Sequence, residues 1–151
     1  MGLYLEVDEE LVTKTGGVME MLDYLAELIA GINIMYEKEA DTHLTIVEVV
    51  ITGRYDSDTS TSAALATQRT ALDGADWPNS EADLVHAILG RGLGGGIAYL
   101  GVLCNRNYGF GVSAGISGSY QISSPQAMVW DIFVVAHGKY YTESSFPPLY
   151  H

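Results

Sequence analysis

The apolar residues between positions 18 and 38 recur every three or four residues, which is the spacing of one face of a helix. Acidic and polar residues fall mostly on the opposite side. We therefore predict a long amphipathic helix over residues 18–38. A second helix is predicted to begin at a cap formed by Ser60 or Thr61 and to run to about Leu72. The apolar face of the long helix consists of Met21, Leu22, Leu25, Leu28, Ile29, Ile32 and Tyr36.

Five apolar runs have the composition of strands. The run at residues 44–52 is β-branched and almost uninterrupted. Such a run is typical of a central strand that is buried on both faces. The first run begins at Leu3 and, with polar interruptions, includes Leu11 and Val12. The remaining strand predictions cover residues 82–89, 97–103 and 110–116.

A glycine-rich stretch follows the predicted strand at 82–89. Gly90, Gly92 and Gly95 match the spacing GxGxxG, which occurs in dinucleotide-binding folds. That fingerprint must open a helix and needs an acidic residue about 20 positions later to hold a ribose. Here a predicted strand follows instead, and the acidic residue is missing. We therefore exclude a dinucleotide site, and the absence of a GK[ST] sequence excludes a phosphate-binding P-loop.

The chain has 151 residues and a net charge of -12, with 19 acidic residues against 7 basic ones. Its length fits a single domain. Binding to nucleic acid or to an anionic membrane relies on Lys and Arg, so the charge argues against both partners. No apolar run is long enough to span a membrane. Cys104 is the only cysteine, so the chain cannot form an internal disulfide.

The strongest apolar stretch near the C-terminal end is WDIFVVAH, at residues 130–137. It leaves almost no polar face, so a helix here would be buried nearly all round. Ser123 or Ser124 and Pro125 form a plausible helix start. The pattern alone leaves two roles open for His137, a satisfied core residue or a metal ligand.

The same stretch resembles the run that leads into the zinc-binding helix of the reprolysin (adamalysin-like) metzincin metallopeptidases. Further segments resemble reprolysin pieces in the right order. The resemblance implies an α/β fold, in which a twisted, mostly parallel sheet with one antiparallel edge strand is flanked by helices. It implies that residues 1–137 form the upper catalytic subdomain and that residues 138–151 are a tail foreign to the family. The matching segments are residues 3–17, 32–51, 82–91, 96–104 and 108–113.

In that family the helix continues as HExxHxxGxxH, whose three His bind zinc and whose Glu acts on the zinc-bound water. His137 matches the first zinc ligand. The base position holds Gly138, the second-ligand position Tyr141, the turn position Ser144 and the third-ligand position Pro147. The resemblance therefore implies a zinc metalloendopeptidase domain that lacks catalytic residues and binds no zinc in this chain.

The family's edge strand binds substrates in an extended form by strand addition, through backbone groups. Gly96, Ile97 and Ala98 match those positions, and the alternative is that they serve only to build the strand. The implied partner is an extended peptide or protein, and an uncovered cleft would favour a homo-oligomer. The resemblance implies an extracellular protein, whereas residues 1–10 lack the features of a signal peptide.

Three functional hypotheses follow from these observations. The first is an inactive metzincin-type peptidase domain, and the second is a binding module that presents the edge strand without catalysis. The third is a working enzyme whose missing zinc ligands and general base come from elsewhere.

Overall fold

A computed structural model describes residues 1–103 and 105–116 of the chain. Helices separate the first three strands, the last two strands follow without an intervening helix, and a 3-10 turn at Gly74–Asp76 precedes the third strand. Within these residues, no helix combines the length and the apolar character needed to cross a membrane. In chain order the elements are β1 (Gly2–Val7), α1 (Glu9–Thr15), α2 (Val18–Ala40), β2 (Thr45–Ile51), α3 (Thr61–Leu72), β3 (Leu84–Leu89), β4 (Gly96–Ala98) and β5 (Phe110–Ala114).

The five strands form one sheet in the order β2-β1-β3-β5-β4. The β1–β2, β1–β3 and β3–β5 pairs are parallel, and β4 alone runs antiparallel, beside β5. The expected α/β fold, a mostly parallel sheet with one antiparallel edge strand flanked by helices, is confirmed.

The sheet has an apolar layer on each face because successive side chains of a strand point to opposite sides. Leu3, Leu5 and Val7 of β1 belong to the core cluster that contains the buried face of α2. Tyr4, between them, belongs to the cluster formed with α3. The two helices therefore cover opposite faces of the same central strands.

The helices predicted at residues 18–38 and from Ser60 or Thr61 to Leu72 are confirmed, and the helix predicted to end at His137 lies outside the described residues. α2 follows the apolar periodicity of residues 18–38 and continues to Ala40, where Asp41 adopts a left-handed conformation with φ 47°. α3 begins after Ser60, whose side chain accepts a hydrogen bond from the backbone N–H of Ala63 at 3.2 Å. This bond satisfies one of the free N–H groups that every helix start exposes.

The assignment of Leu11 and Val12 to a first strand is wrong, because both lie in α1. Asp8 caps this helix by accepting a hydrogen bond from the N–H of Leu11, and Gly16 ends it in a left-handed conformation with φ 104°. A helix of seven residues spans only two turns, so it offers too few apolar positions to show a helical period.

The predicted central position of the 44–52 strand is also wrong. Among the described residues β2 lies at one edge of the sheet, with Thr45, Glu48 and Ile51 exposed and the other positions half-buried. β-branched composition shows that a segment fits a pleated surface, and edge strands share that property with central ones.

The predicted strand at 97–103 is only partly correct. β4 covers Gly96–Ala98, and the chain leaves the sheet after Tyr99, whose N–H still donates to the carbonyl of Phe110 at 3.3 Å. Gly101 has a left-handed φ of 67°, which is incompatible with a continuing strand. The strand predictions at 82–89 and 110–116 are confirmed by β3 and β5.

Candidate functional site

β4 presents an unpaired edge, and only alternate residues direct their backbone groups toward it. Ala114 N–H donates to Gly95 O at 2.9 Å, and Tyr99 N–H donates to Phe110 O at 3.3 Å. In an antiparallel ladder every second residue exchanges hydrogen bonds with its partner strand. Residues 95, 97 and 99 therefore face β5, whereas Gly96 and Ala98 direct their N–H and C=O groups outward.

The structure thus divides the three predicted substrate-binding residues into two kinds. Gly96 and Ala98 have outward backbone groups, and within residues 1–103 and 105–116 no strand lies on that outer side of β4. Ile97 lies opposite Val112, and its side chain packs against the cluster under α3. Ile97 therefore anchors β4, and only its two neighbours are placed to bond an added strand.

A buried histidine supports β4 from the α2 side of the sheet. His86 of β3 lies beside Gly111, which in turn pairs with Ala98. His86 Nε2 and Ser113 Oγ are 2.9 Å apart, within hydrogen-bond distance, and Ser113 pairs with Gly96. Burial lowers the pKa of His86 from 6.5 to about 3, so the ring is neutral near pH 7. These contacts give His86 a structural role in the sheet.

An aromatic and cationic cluster fixes the end of β4 on the α3 side. The guanidinium carbon of Arg69 lies 4.1 Å from the ring centre of Tyr108 and 5.8 Å from that of Tyr99. Arg69 Nε also donates to Asn107 O at 3.1 Å. A shallow groove of about 480 Å³ opens here, between α3 and the residue that follows β4. The groove is lined by Ala66, Arg69, Thr70, Asp73 and Tyr99.

The glycine-rich loop before β4 is tied to the start of α1 by one buried carboxylate. Asp8 Oδ1 accepts from the N–H groups of Leu11 at 2.9 Å and Gly90 at 2.8 Å, and Oδ2 accepts from Arg91 N–H at 3.2 Å. A Cβ at Gly90 would lie 2.5 Å from Leu11 N. Gly90 is therefore needed for close packing, and Asp8 fills the helix N-terminus where an anion would bind. These contacts and the following strand agree with the exclusion of a dinucleotide site.

A second buried carboxylate lies on the α3 side of β1. Glu6 accepts hydrogen bonds from Arg54 Nε at 3.1 Å and from the Tyr55 hydroxyl, and the side-chain amide of Gln68 lies 3.3 Å from the same carboxylate. Burial and the neighbouring Glu6 raise the pKa of Tyr55 well above its ordinary 10. Arg54 and Tyr55 satisfy this carboxylate inside the protein, and Gln68 of α3 packs beside it, so the cluster holds β1 and α3 together.

The described residues do not fit a zinc ion. No group of three His, Cys, Asp or Glu residues converges among residues 1–103 and 105–116. His43 Nδ1 lies 2.5 Å from Glu37 Oε1 on the surface, and His86 is buried beside Ser113. His137 and the rest of its motif lie outside the described residues, as does the 137/138 domain boundary. The expectation that this chain binds no zinc stays a prediction.

Sequence reasoning missed Asp8, Gly111 and Ser113. For Asp8 a signal existed, because an Asp followed by two Glu residues is a typical helix start. Gly111 and Ser113 gave no local signal, because both matter through their contact with His86. His86 lies 25 and 27 residues earlier in the chain.

The comparisons with known proteins agree with this geometry. A family model described as metallo-peptidase family M12B, reprolysin-like, matches residues 22–138, more than three quarters of the chain. The chain belongs to this family. Its relatives are zinc metallopeptidases and are generally extracellular or secreted. The match takes in most of α2, the described strands after β1 and His137, so it includes the segment that forms the edge strand β4.

The reprolysin-like domain also resembles a chain in the solved structure of a chaperone–substrate complex. The TM-score is 0.69 at 19% sequence identity, and the match covers 91% of the domain but 23% of the other chain. At that identity the similarity shows the fold alone. No curated protein sequence matches the domain.

Proposed function

We propose that this reprolysin-like domain holds an extended peptide along the outer edge of β4 without cleaving it. The observation that supports the proposal is the outward direction of the backbone groups of Gly96 and Ala98. A peptide strand placed beside them would gain up to four backbone hydrogen bonds, as in other cases of strand addition.

The expected affinity is low. Each hydrogen bond contributes about 0.5–1.5 kcal/mol net, so four bonds contribute about 2–6 kcal/mol. A dissociation constant of 1 mM corresponds to about 4 kcal/mol. The backbone edge alone therefore supports binding near the millimolar range, and tighter binding needs side-chain contacts with the exposed residues that follow β4, Leu100 and Leu103.

The absence of cleavage follows from the broken motif. A catalytic zinc site needs three protein ligands, an open position for water and, in this family, a base. His137 supplies one ligand, while Gly138, Tyr141 and Pro147 stand at the base position and the two remaining ligand positions. None of the side chains at those three positions can supply the missing ligands or the base in the family's manner.

Calorimetric titration with micromolar zinc tests the absence of cleavage, with the His137→Ala variant as the control. We expect no heat of binding in either protein. Zinc binding that the His137→Ala variant loses, together with zinc-dependent hydrolysis of a peptide pool, would show a working enzyme and would overturn this part of the proposal.

A substitution that removes only an outward N–H tests peptide binding at the edge. Ala98→Pro deletes the Ala98 N–H but no bond to β5, and edge strands tolerate proline at such positions. Ala98→Ser is the matched control, because it keeps the N–H. The probe is a pool of randomised decapeptides, and the measurement is the shift of backbone amide NMR signals.

We expect the pool to shift the Gly96 amide signal in the wild-type and Ala98→Ser proteins and to leave it unchanged in Ala98→Pro. If Ala98→Pro responds like Ala98→Ser, or if neither protein responds at millimolar peptide, β4 is not a peptide-binding edge.

A further inference from the structure

A groove lies at the opposite end of the sheet, between α2 and β2. Its volume is about 470 Å³. Asn33, Glu37 and His43 stand at its polar end, where Asn33 bonds both backbone groups of Leu44. Its remaining walls are largely apolar and consist of Ala26, Ile29, Ala30, Ile34, Leu44, Thr45 and Ile46.

The wall of this groove continues along α2 as an exposed apolar stripe. Met19 is 67% exposed, Leu22 38% and Ile34 72%. Together with the exposed Ala26 and Ala30, these residues recur every three or four positions and so lie on one side of the helix. Contiguous exposed apolar surface of this kind marks a site of interaction.

β2, whose first residues Thr45 and Ile46 line this groove, has an outer edge that continues from the groove toward Ile51. Thr52 N–H donates to Val7 O of β1 at 2.9 Å. Because N–H directions alternate along a strand, Val49 and Ile51 direct their N–H and C=O groups away from β1. No strand among residues 1–103 and 105–116 pairs with this edge.

The charges around the groove are almost all negative. The exposed residues Glu20, Asp23, Glu27 and Glu37 lie on the same helix as the stripe, and Lys38 is the one cationic side chain of that helix. A second copy of the chain would bring like charges together, which is unfavourable. A basic partner would instead be attracted.

The position of Glu48 favours a partner strand in which apolar and basic side chains alternate. It lies opposite Tyr4, whose ring belongs to the cluster under α3, so Glu48 projects from the sheet face that is opposite to the groove. A strand added beside β2 would therefore point one set of side chains into the apolar groove and the other set toward Glu48.

We propose that the α2–β2 groove binds an extended segment of a partner protein in which apolar and basic side chains alternate. The apolar side chains fill the groove beside Ile34, and the basic ones face Glu48. Backbone bonds form to Val49 and Ile51. This surface and β4 are opposite edges of the sheet, so the proposal does not depend on peptide binding at β4.

The test titrates the full chain with a capped octapeptide that alternates valine and lysine, followed by amide NMR. We expect the largest shifts at Val49, Ile51 and Ile34. Ile34→Lys places a like charge against the peptide at an exposed helical position, and we expect it to weaken binding about tenfold. Ser62→Lys makes the same change in charge at an exposed position of α3, on the other face of the sheet, and should leave the affinity unchanged.

Three results would overturn the proposal. The first is that the peptide shifts the amide signals of Gly96 and Ala98 more than those of the α2–β2 groove. The second is equal binding of an octapeptide that alternates valine and glutamate, since charge would then not select the partner. The third is a concentration-dependent dimer, seen by sedimentation, that Ile34→Lys dissociates, since the groove would then bind a second copy.

Discussion

The imidazole ring of His86 occupies the space that any side chain at position 111 would need. A Cβ placed on Gly111 would lie 2.5 Å from His86 Nδ1 and 2.8 Å from His86 Cε1. The ring is 2% exposed and its Nε2 lies beside Ser113, so it has no room to withdraw. This contact packs β3 closely against β5, the strand that pairs with β4.

Gly111→Ala should therefore lower the free energy of unfolding. Overpacking a buried site costs about 1–3 kcal/mol. Urea unfolding at pH 7 measures the change, and Gly92→Ala is the control because a Cβ there meets nothing within 4 Å. The explanation would be wrong if both variants had the same stability as the wild type.

The buried, neutral state of His86 should make stability depend on pH. The pKa of His86 is about 3 in the folded protein, whereas an unfolded His titrates near 6.5. Between these values the unfolded state binds more protons, so the free energy of unfolding falls as the pH drops from about 6.5 toward 3. His86→Gln cannot take up this proton.

The wild type should consequently lose about 1 kcal/mol more stability than His86→Gln between pH 6 and pH 5. Urea titrations at both pH values measure this difference. Both proteins contain the same carboxylates, so the titration of those groups contributes equally to the two losses. Equal losses in the two proteins would show that His86 is protonated while folded.

Asp8→Ala should destabilise the protein by about 2–4 kcal/mol. The change removes a helix cap, worth about 1 kcal/mol, and leaves the N–H groups of Gly90 and Arg91 without their carboxylate. Glu9→Ala is the matched control, because Glu9 is an exposed acidic residue in the first turn of the same helix. Thermal unfolding compares the two variants, and a loss in Glu9→Ala equal to that in Asp8→Ala would contradict the structural role of Asp8.

Local patterns in the sequence predicted α2, α3, β3 and β5 because these elements carry their own signals. α2 is a 23-residue helix whose apolar residues recur at helical spacing, and α3 begins at a capping serine. The short helix α1 and the end of β4 depend on single residues, Asp8 and Gly101, that a search for periodicity overlooks. The edge position of β2 is a property of strand order, which no local pattern records.

The candidate site was predictable only through resemblance. Gly96, Ile97 and Ala98 have small or apolar side chains without reactive groups. Their proposed role depends on the direction in which their backbone N–H and C=O groups point. That direction depends on the register between β4 and β5, which separates Ile97 from its neighbours. The role of His137 stays a prediction because it lies outside the described residues.

The strand order gives the two edges of the described sheet independent surroundings. β2 and β4 are four strand spacings apart, and at about 4.8 Å per spacing their axes are separated by about 19 Å. Ligands on the two edges would not touch each other, so both edges can be filled at once. A single domain of this kind would then act as a bridge that holds two chains at a fixed distance.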